Sequence, residues 1–211
     1  MDTHAIAPPD IGETLWFDLP DYEAHPIWQR LSPERRAQVR QMRDSGYVIV
    51  DASVNAATID RALEAAAAWK RQNAEAYEAN RKPNGDPPRL IDFHSVAEPV
   101  CALFHQNSAV ELQDILFGAE TSIYTSLFFE VSTEQPIHRD VPVFRTAPEN
   151  FYFGMWVALE DATLRNGTLQ VIDGGHKVAV DQYAIGASFY ADPLDIPKTD
   201  DAMWNAYQAA V

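Results

Sequence analysis

The sequence predicts an α+β protein with a helical first half and an antiparallel β second half, and three observations carry that prediction. Residues 55–80 are rich in alanine and glutamate, with Ile59, Leu63, Ala66 and Ala67 spaced along one helical face. From Ser122 the composition becomes β-branched and aromatic, through Ser122–Val131 and Phe151–Leu159. Asn166-Gly167, a strong hairpin dipeptide, stands between Phe151–Leu159 and a further run, Thr168–Ile172.

Taken in order, residues 8–33 interleave five prolines with Trp16, Phe17, Tyr22 and Trp28, the pattern of an irregular arm wrapped on a core. Ser32-Pro33 supplies an N-cap and a first-turn proline, predicting a helix to about Asp44 that Gly46 ends. Tyr47–Val50 reads as a short strand, 55–80 as the second helix, and Arg81–Pro88 as a loop. A third helix is expected across 97–117, ending at Gly118. Past residue 180 the pattern reads as loop, then as a final helical stretch around Asp200–Ala210. A length of 211 residues suits one domain spanning 1–211: helical over 1–118, a β core over 119–181, and loop and helix over 182–211.

Composition narrows the partners. Sixteen Lys+Arg against 31 Asp+Glu leave a formal charge of −15, which repels phosphate backbones and argues against nucleic acid. No run approaches the roughly 20 apolar residues of a membrane helix, so no membrane partner is expected. The single cysteine, Cys101, excludes an internal disulfide and reads as a small buried hydrophobe. The start, Met1-Asp2-Thr3-His4, lacks a basic region followed by an apolar one, and a cytoplasmic protein is the expectation. Oligomeric state is not legible.

His138-Arg139-Asp140 carries the chemistry. Side chains two apart on an extended strand share a face, so an imidazole and a carboxylate can reach one cation together. Such a pair is two-thirds of the 2-His-1-carboxylate triad of non-haem iron oxygenases. Four segments in order, Tyr124–Glu130, Gln135–Asp140, Phe153–Asp161 and Asn166–Lys177, resemble the phytanoyl-CoA dioxygenase family, and the likeness extends to Asp44–Val50 and Arg89–Phe93. The resemblance implies a double-stranded β-helix (jelly roll), Fe(II), 2-oxoglutarate and dioxygen, and hydroxylation of a small organic substrate. It matches His138 and Asp140 to the first two metal ligands, places Trp156 and Tyr124 beside 2-oxoglutarate, and puts Arg89 where relatives hold a cationic contact to it. For Trp156 the competing reading is a core aromatic on a buried strand, while Phe128 and Phe144 read as packing residues. No side chain is assigned a catalytic acid–base or nucleophilic role.

The same resemblance predicts a later histidine ligand and, about ten residues on, an arginine for the distal carboxylate of 2-oxoglutarate. After Asp140 the only histidine is His176, and no arginine follows it. About five strands are legible where a closed jelly roll wants eight. The expectation is therefore a sequence that stops before the distal His and Arg, with His176 either a turn residue or a substitute ligand. Three readings stay open: the oxygenase, with little turnover from this chain; a truncated or degenerate jelly-roll protein with a binding function or none; and a cupin-like metalloenzyme using His138, Asp140 and His176 without 2-oxoglutarate.

Overall fold

A computed structural model describes residues 14–131, 137–140, 144, 146, 151–191 and 202–211. Its helices are α1 (Pro26–Arg30), α2 (Pro33–Ser45), α3 (Ala56–Gln72), α4 (Ala74–Ala79), α5 (Glu98–His105), α6 (Ser108–Phe117), α7 (Gln182–Phe189) and α8 (Ala202–Ala210). The strands β1 (Leu90–Ile91) and β2 (Leu127–Phe128) pair antiparallel, with Leu90 opposite Phe128 and Ile91 opposite Leu127. Short 3₁₀ turns at Trp16–Asp18, Tyr22–Ala24, Phe93–Ser95 and Gly175–Lys177 complete the assignment. The described chain is thus mixed, mostly helical, with little strand.

The helices begin and end where side chains can satisfy orphaned backbone groups. Ser32 Oγ accepts from the Arg35 amide at 3.2 Å and Pro33 occupies the first turn of α2. Gly46, at φ +82°, ends that helix with its amide on the Met42 carbonyl. Asn55 Oδ1 caps α3 from the Thr58 amide at 2.9 Å.

Three expectations need correction. The inward face of α3 is Thr58, Ile59, Ala62, Ala66 and Trp69, so Ile59 and Ala66 face inward as expected whereas Leu63 and Ala67 face solvent. Small Ala62 lets α5 approach closely, and Thr58 Oγ1 meets Gln106 Oε1 at 2.8 Å, so contacts from distant residues set the helix rotation. The helix foreseen over 97–117 is two helices, because Asn107 intervenes. Its amide group donates to the Leu103 carbonyl at 3.1 Å while its oxygen accepts from Ala109 N at 2.9 Å, replacing continued helix with a cap. Residues past 180 are not simply loop: Asp181 Oδ1 accepts from Ala184 N and starts α7.

Two apolar clusters organise the first half. Leu15, Trp16, Phe17, Trp28, Val39, Leu112 and Leu116 join the proline-rich arm to α2 and α6. Val54, Ala62, Phe93, Ala97, Val100, Leu103 and Phe128 join α3, α5 and β2, and Phe128 is accordingly the packing residue expected. A third, smaller cluster of Tyr190, Trp204 and Tyr207 holds α7 to α8.

The β half differs from expectation in pairing. Tyr47–Val50, most of Ser122–Val131, Phe151–Leu159 and Thr168–Ile172 run outside helix but, among the described residues, form no ladder beyond β1–β2. The reversal at Asn166-Gly167 is nevertheless built. Asn166 Oδ1 accepts from Thr163 N at 2.6 Å, Thr168 N reaches Thr163 O at 3.2 Å, and Gly167 takes φ +87°.

Candidate metal centre

The two residues expected to share a cation face each other. His138 Nε2 lies 3.3 Å from Asp140 Oδ1, with the side chains 32% and 50% exposed, so the pair is open to a ligand from solvent. Two donors each about 2.1 Å from one cation, at right angles, stand about 3 Å apart. The observed separation is close to that edge, and the pair fits two adjacent positions of one coordination sphere. Among the described residues no group of three or more His, Cys, Asp or Glu side chains forms a metal-holding set.

The second oxygen of Asp140 is already engaged. Tyr152 Oη donates to Asp140 Oδ2 at 3.2 Å. Burial of the hydroxyl and the adjacent Asp140 charge push the Tyr152 ionisation far up, so it remains a proton donor at any physiological pH. Phe144 stacks on the Tyr152 ring, centroids 5.0 Å apart, and is thus a support as expected. This arrangement leaves Oδ1 as the oxygen presented toward His138. No role had been foreseen for Tyr152. Its only sequence signal is a hydroxyl set between Phe151 and Phe153 in an apolar run, where a tyrosine needs a polar partner for its tip.

Arg139 points away from its two neighbours. Its Nη2 donates to the carbonyls of Gly175 at 3.2 Å and Val178 at 2.9 Å. These carbonyls belong to the turn that carries His176, whose Nε2 stands 3.0 Å from the Arg43 carbonyl at the end of α2. Gly46 packs so closely under the His176 ring that a Cβ there would collide with it. His176 therefore sits in a turn docked on α2, apart from the His138–Asp140 pair in its bonding.

The three residues expected beside a co-substrate lie elsewhere in character. Tyr124 is 77% exposed and Trp156 49% exposed, which removes the reading of Trp156 as a core aromatic. Arg89 is exposed, with its guanidinium 5.2 Å from the centre of the Phe129 ring. Among the hydrogen bonds and ring contacts seen in the described residues, none ties these three to His138 or Asp140.

No helix among the described residues is long and apolar enough to cross a membrane. Neither the curated proteins nor the solved structures contain a significant match to the chain. The family described as phytanoyl-CoA dioxygenase (PhyH) matches residues 42–210, from the last turn of α2 through α8 and across the His138–Asp140 pair. With most of its length matched in this way, the chain belongs to the phytanoyl-CoA dioxygenase family.

Proposed function

We propose that the chain is a single oxygenase-like domain, 1–211, of an Fe(II)/2-oxoglutarate-dependent dioxygenase that hydroxylates a small organic substrate in the cytoplasm. The observation that carries the reading is the 3.3 Å approach of His138 Nε2 and Asp140 Oδ1 inside the segment that matches the family. Fe(II) with 2-oxoglutarate and dioxygen supplies the oxidising power needed to replace a C–H hydrogen by hydroxyl. His138 and Asp140 hold the cation, and the Tyr152 hydroxyl fixes which carboxylate oxygen turns toward it. Arg89, Tyr124 and Trp156 are assigned to the co-substrate, and their exposure gives them access to a molecule arriving from solvent. The architecture assigned is the jelly roll of the family, with the runs 122–131, 151–159 and 168–172 as its strands. The −15 charge favours a cation and argues against nucleic acid as partner.

A second reading has its own observation. With no three-residue metal set and a single two-stranded ladder among the described residues, a degenerate jelly-roll protein that binds without catalysis is the alternative. One experiment separates them. Anaerobic titration of the chain with Fe(II) and 2-oxoglutarate should produce a weak visible charge-transfer band, abolished by His138→Ala. Metal binding indifferent to 2-oxoglutarate would point to a cofactor-independent metalloprotein, and absence of metal binding to the degenerate protein.

A further inference from the structure

We infer that Arg139 is a positioning residue, which orients the His138–Asp140 pair by tying it to the 174–178 turn and, through that turn, to the C-terminus of α2. The inference rests on the reading of His138 and Asp140 as cation ligands and assigns the device that holds them in place.

His138 and Asp140 approach each other at 3.3 Å, while the side chain of Arg139 between them bonds to a different segment. The Arg139 guanidinium donates to both Gly175 O, at the start of the 3₁₀ turn, and Val178 O, the residue that follows it. A single side chain thus bridges two carbonyls of a segment some 36 residues downstream. The planar, permanently charged guanidinium suits such a bridge, because its donors are fixed relative to one another.

The turn is anchored at its other side by independent contacts. Gly174 N donates to Ser45 O at 2.9 Å, His176 Nε2 meets Arg43 O at 3.0 Å, and Lys177 Nζ lies 3.4 Å from Asp44 Oδ1. Asp44 and Lys177 are both exposed, so their ion pair contributes little. The backbone bond and the seat of His176 on Gly46 carry the docking. Beneath them α2 is fixed by Val39, fully buried against Leu112, Leu116 and the tryptophans of the arm. A continuous set of contacts therefore runs from the main core, along α2, through the 174–178 turn and Arg139, to the backbone between the two ligands. Among the described residues, the Tyr152 hydroxyl on Asp140 and a local turn, where Phe144 N meets Asp140 O at 3.0 Å, also hold this backbone.

The test uses the full chain with Co(II) as probe, because its visible bands report coordination geometry as well as occupancy. Affinity is measured for wild type, Arg139→Met, Arg139→Lys, His176→Ala and the Arg139→Met/His176→Ala double variant, with urea unfolding run on each. Loss of an outer partner that orients a ligand typically weakens metal affinity roughly 10–100-fold. Arg139→Met should fall in that range with altered bands, while the urea midpoint moves little. Arg139→Lys should recover part of the affinity. His176→Ala should weaken binding less, and the double variant should be no weaker than Arg139→Met alone, since both act through one turn. Affinity and bands of Arg139→Met within twofold of wild type would overturn the inference. So would fully additive losses, or losses that simply track the urea midpoint. A wild-type chain that ignores Co(II), or a His138→Ala chain that binds as well as wild type, overturns the metal reading itself and this inference with it.

Discussion

The helical half and the 164–178 segment of the β half use their apolar residues in opposite ways, whereas Phe151, Phe153, Val157 and Leu159 of the β half pack on the helical clusters. In α2, α5 and α6 the large side chains point into shared clusters, and Val39 and Leu116 are almost wholly buried. Between 164 and 178 the large apolar residues Leu164, Leu169, Val171, Ile172 and Val178 all stand exposed. The difference follows from where each element finds its hydrogen bonds. A helix closes its ladder within itself and needs one neighbour for its apolar stripe, whereas a strand needs a partner on its edge and a cover on its face. Only Leu90–Ile91 and Leu127–Phe128 meet the first condition among the described residues, and Phe128 meets the second by entering the α3–α5 cluster.

Four measurements would break or sharpen that contrast. The largest effect is expected from Leu116→Ala, which leaves a cavity in the arm–α2–α6 cluster and should cost about 3 kcal/mol in urea denaturation. Leu169→Ala, at 58% exposure, should cost less than about 0.5 kcal/mol. Equal losses at the two sites would show that the 164–178 segment is packed after all. Next, Gly46→Ala places a Cβ at φ +82° and under the His176 ring, and should cost roughly 2 kcal/mol. The same variant should speed proteolysis at 174–178, since the docked turn loses its seat.

A smaller effect is expected where the two halves are stitched beside β2. Tyr77 is buried, and its hydroxyl donates to Glu130 Oε1 at 2.5 Å while Lys70 Nζ approaches Glu130 Oε2 at 2.8 Å. Burial alone would raise the Glu130 ionisation, but the bonds from Lys70 and Tyr77 outweigh it and hold the carboxyl below its usual 4.5. A carboxyl depressed in the folded state stabilises fully above its unfolded value, and that contribution disappears as pH falls through the folded one. Glu130→Gln should therefore cost about 1 kcal/mol at pH 7, after allowance for the partial exposure of the ion pair. It should also flatten the stability profile below pH 4.5, and an unchanged acid limb would refute the assignment. A small effect is also expected from Tyr152→Phe, about 0.5 kcal/mol in stability, since Asp140 can turn to water when the hydroxyl is removed. Its measurable consequence should be a several-fold weaker grip on Co(II).

What the sequence disclosed and what it withheld divide along the same physical line. Ser32-Pro33, Gly46 and Asn166-Gly167 act on their immediate neighbours, and each performs in the structure the local task read from it. The approach of His138 and Asp140 agrees with their spacing, and it was the family motifs around them that singled the pair out. The rotation of α3 was not legible, because Gln106 and the close approach of α5 at Ala62 decide it from elsewhere in the chain. The break at Asn107 turned on a side chain competing with the backbone, which a hydrophobic period cannot register. Tyr152 and Arg139 owe their places at the site to partners 12 and 36 residues away. Strands were expected at 151–159 and 168–172 from composition and none is formed there, because β-propensity describes a surface fit for pairing and does not supply the pair.

The seat of His176 on α2 also has a consequence in time. The contact between its ring and the Arg43 carbonyl spans 133 positions of chain, one of the longest closures in the molecule. Contacts so distant in sequence form only after the chain entropy between them has been surrendered, whereas the capped helices at 33–45 and 56–72 can form from local bonds. The His138–Asp140 pair, bonded through Arg139 to the turn that makes that late contact, is then among the last features of the described chain to take shape. On the proposed metal reading, cation affinity becomes a clock for refolding: it should return after helical circular dichroism does, and the lag between the two records the docking of a single turn.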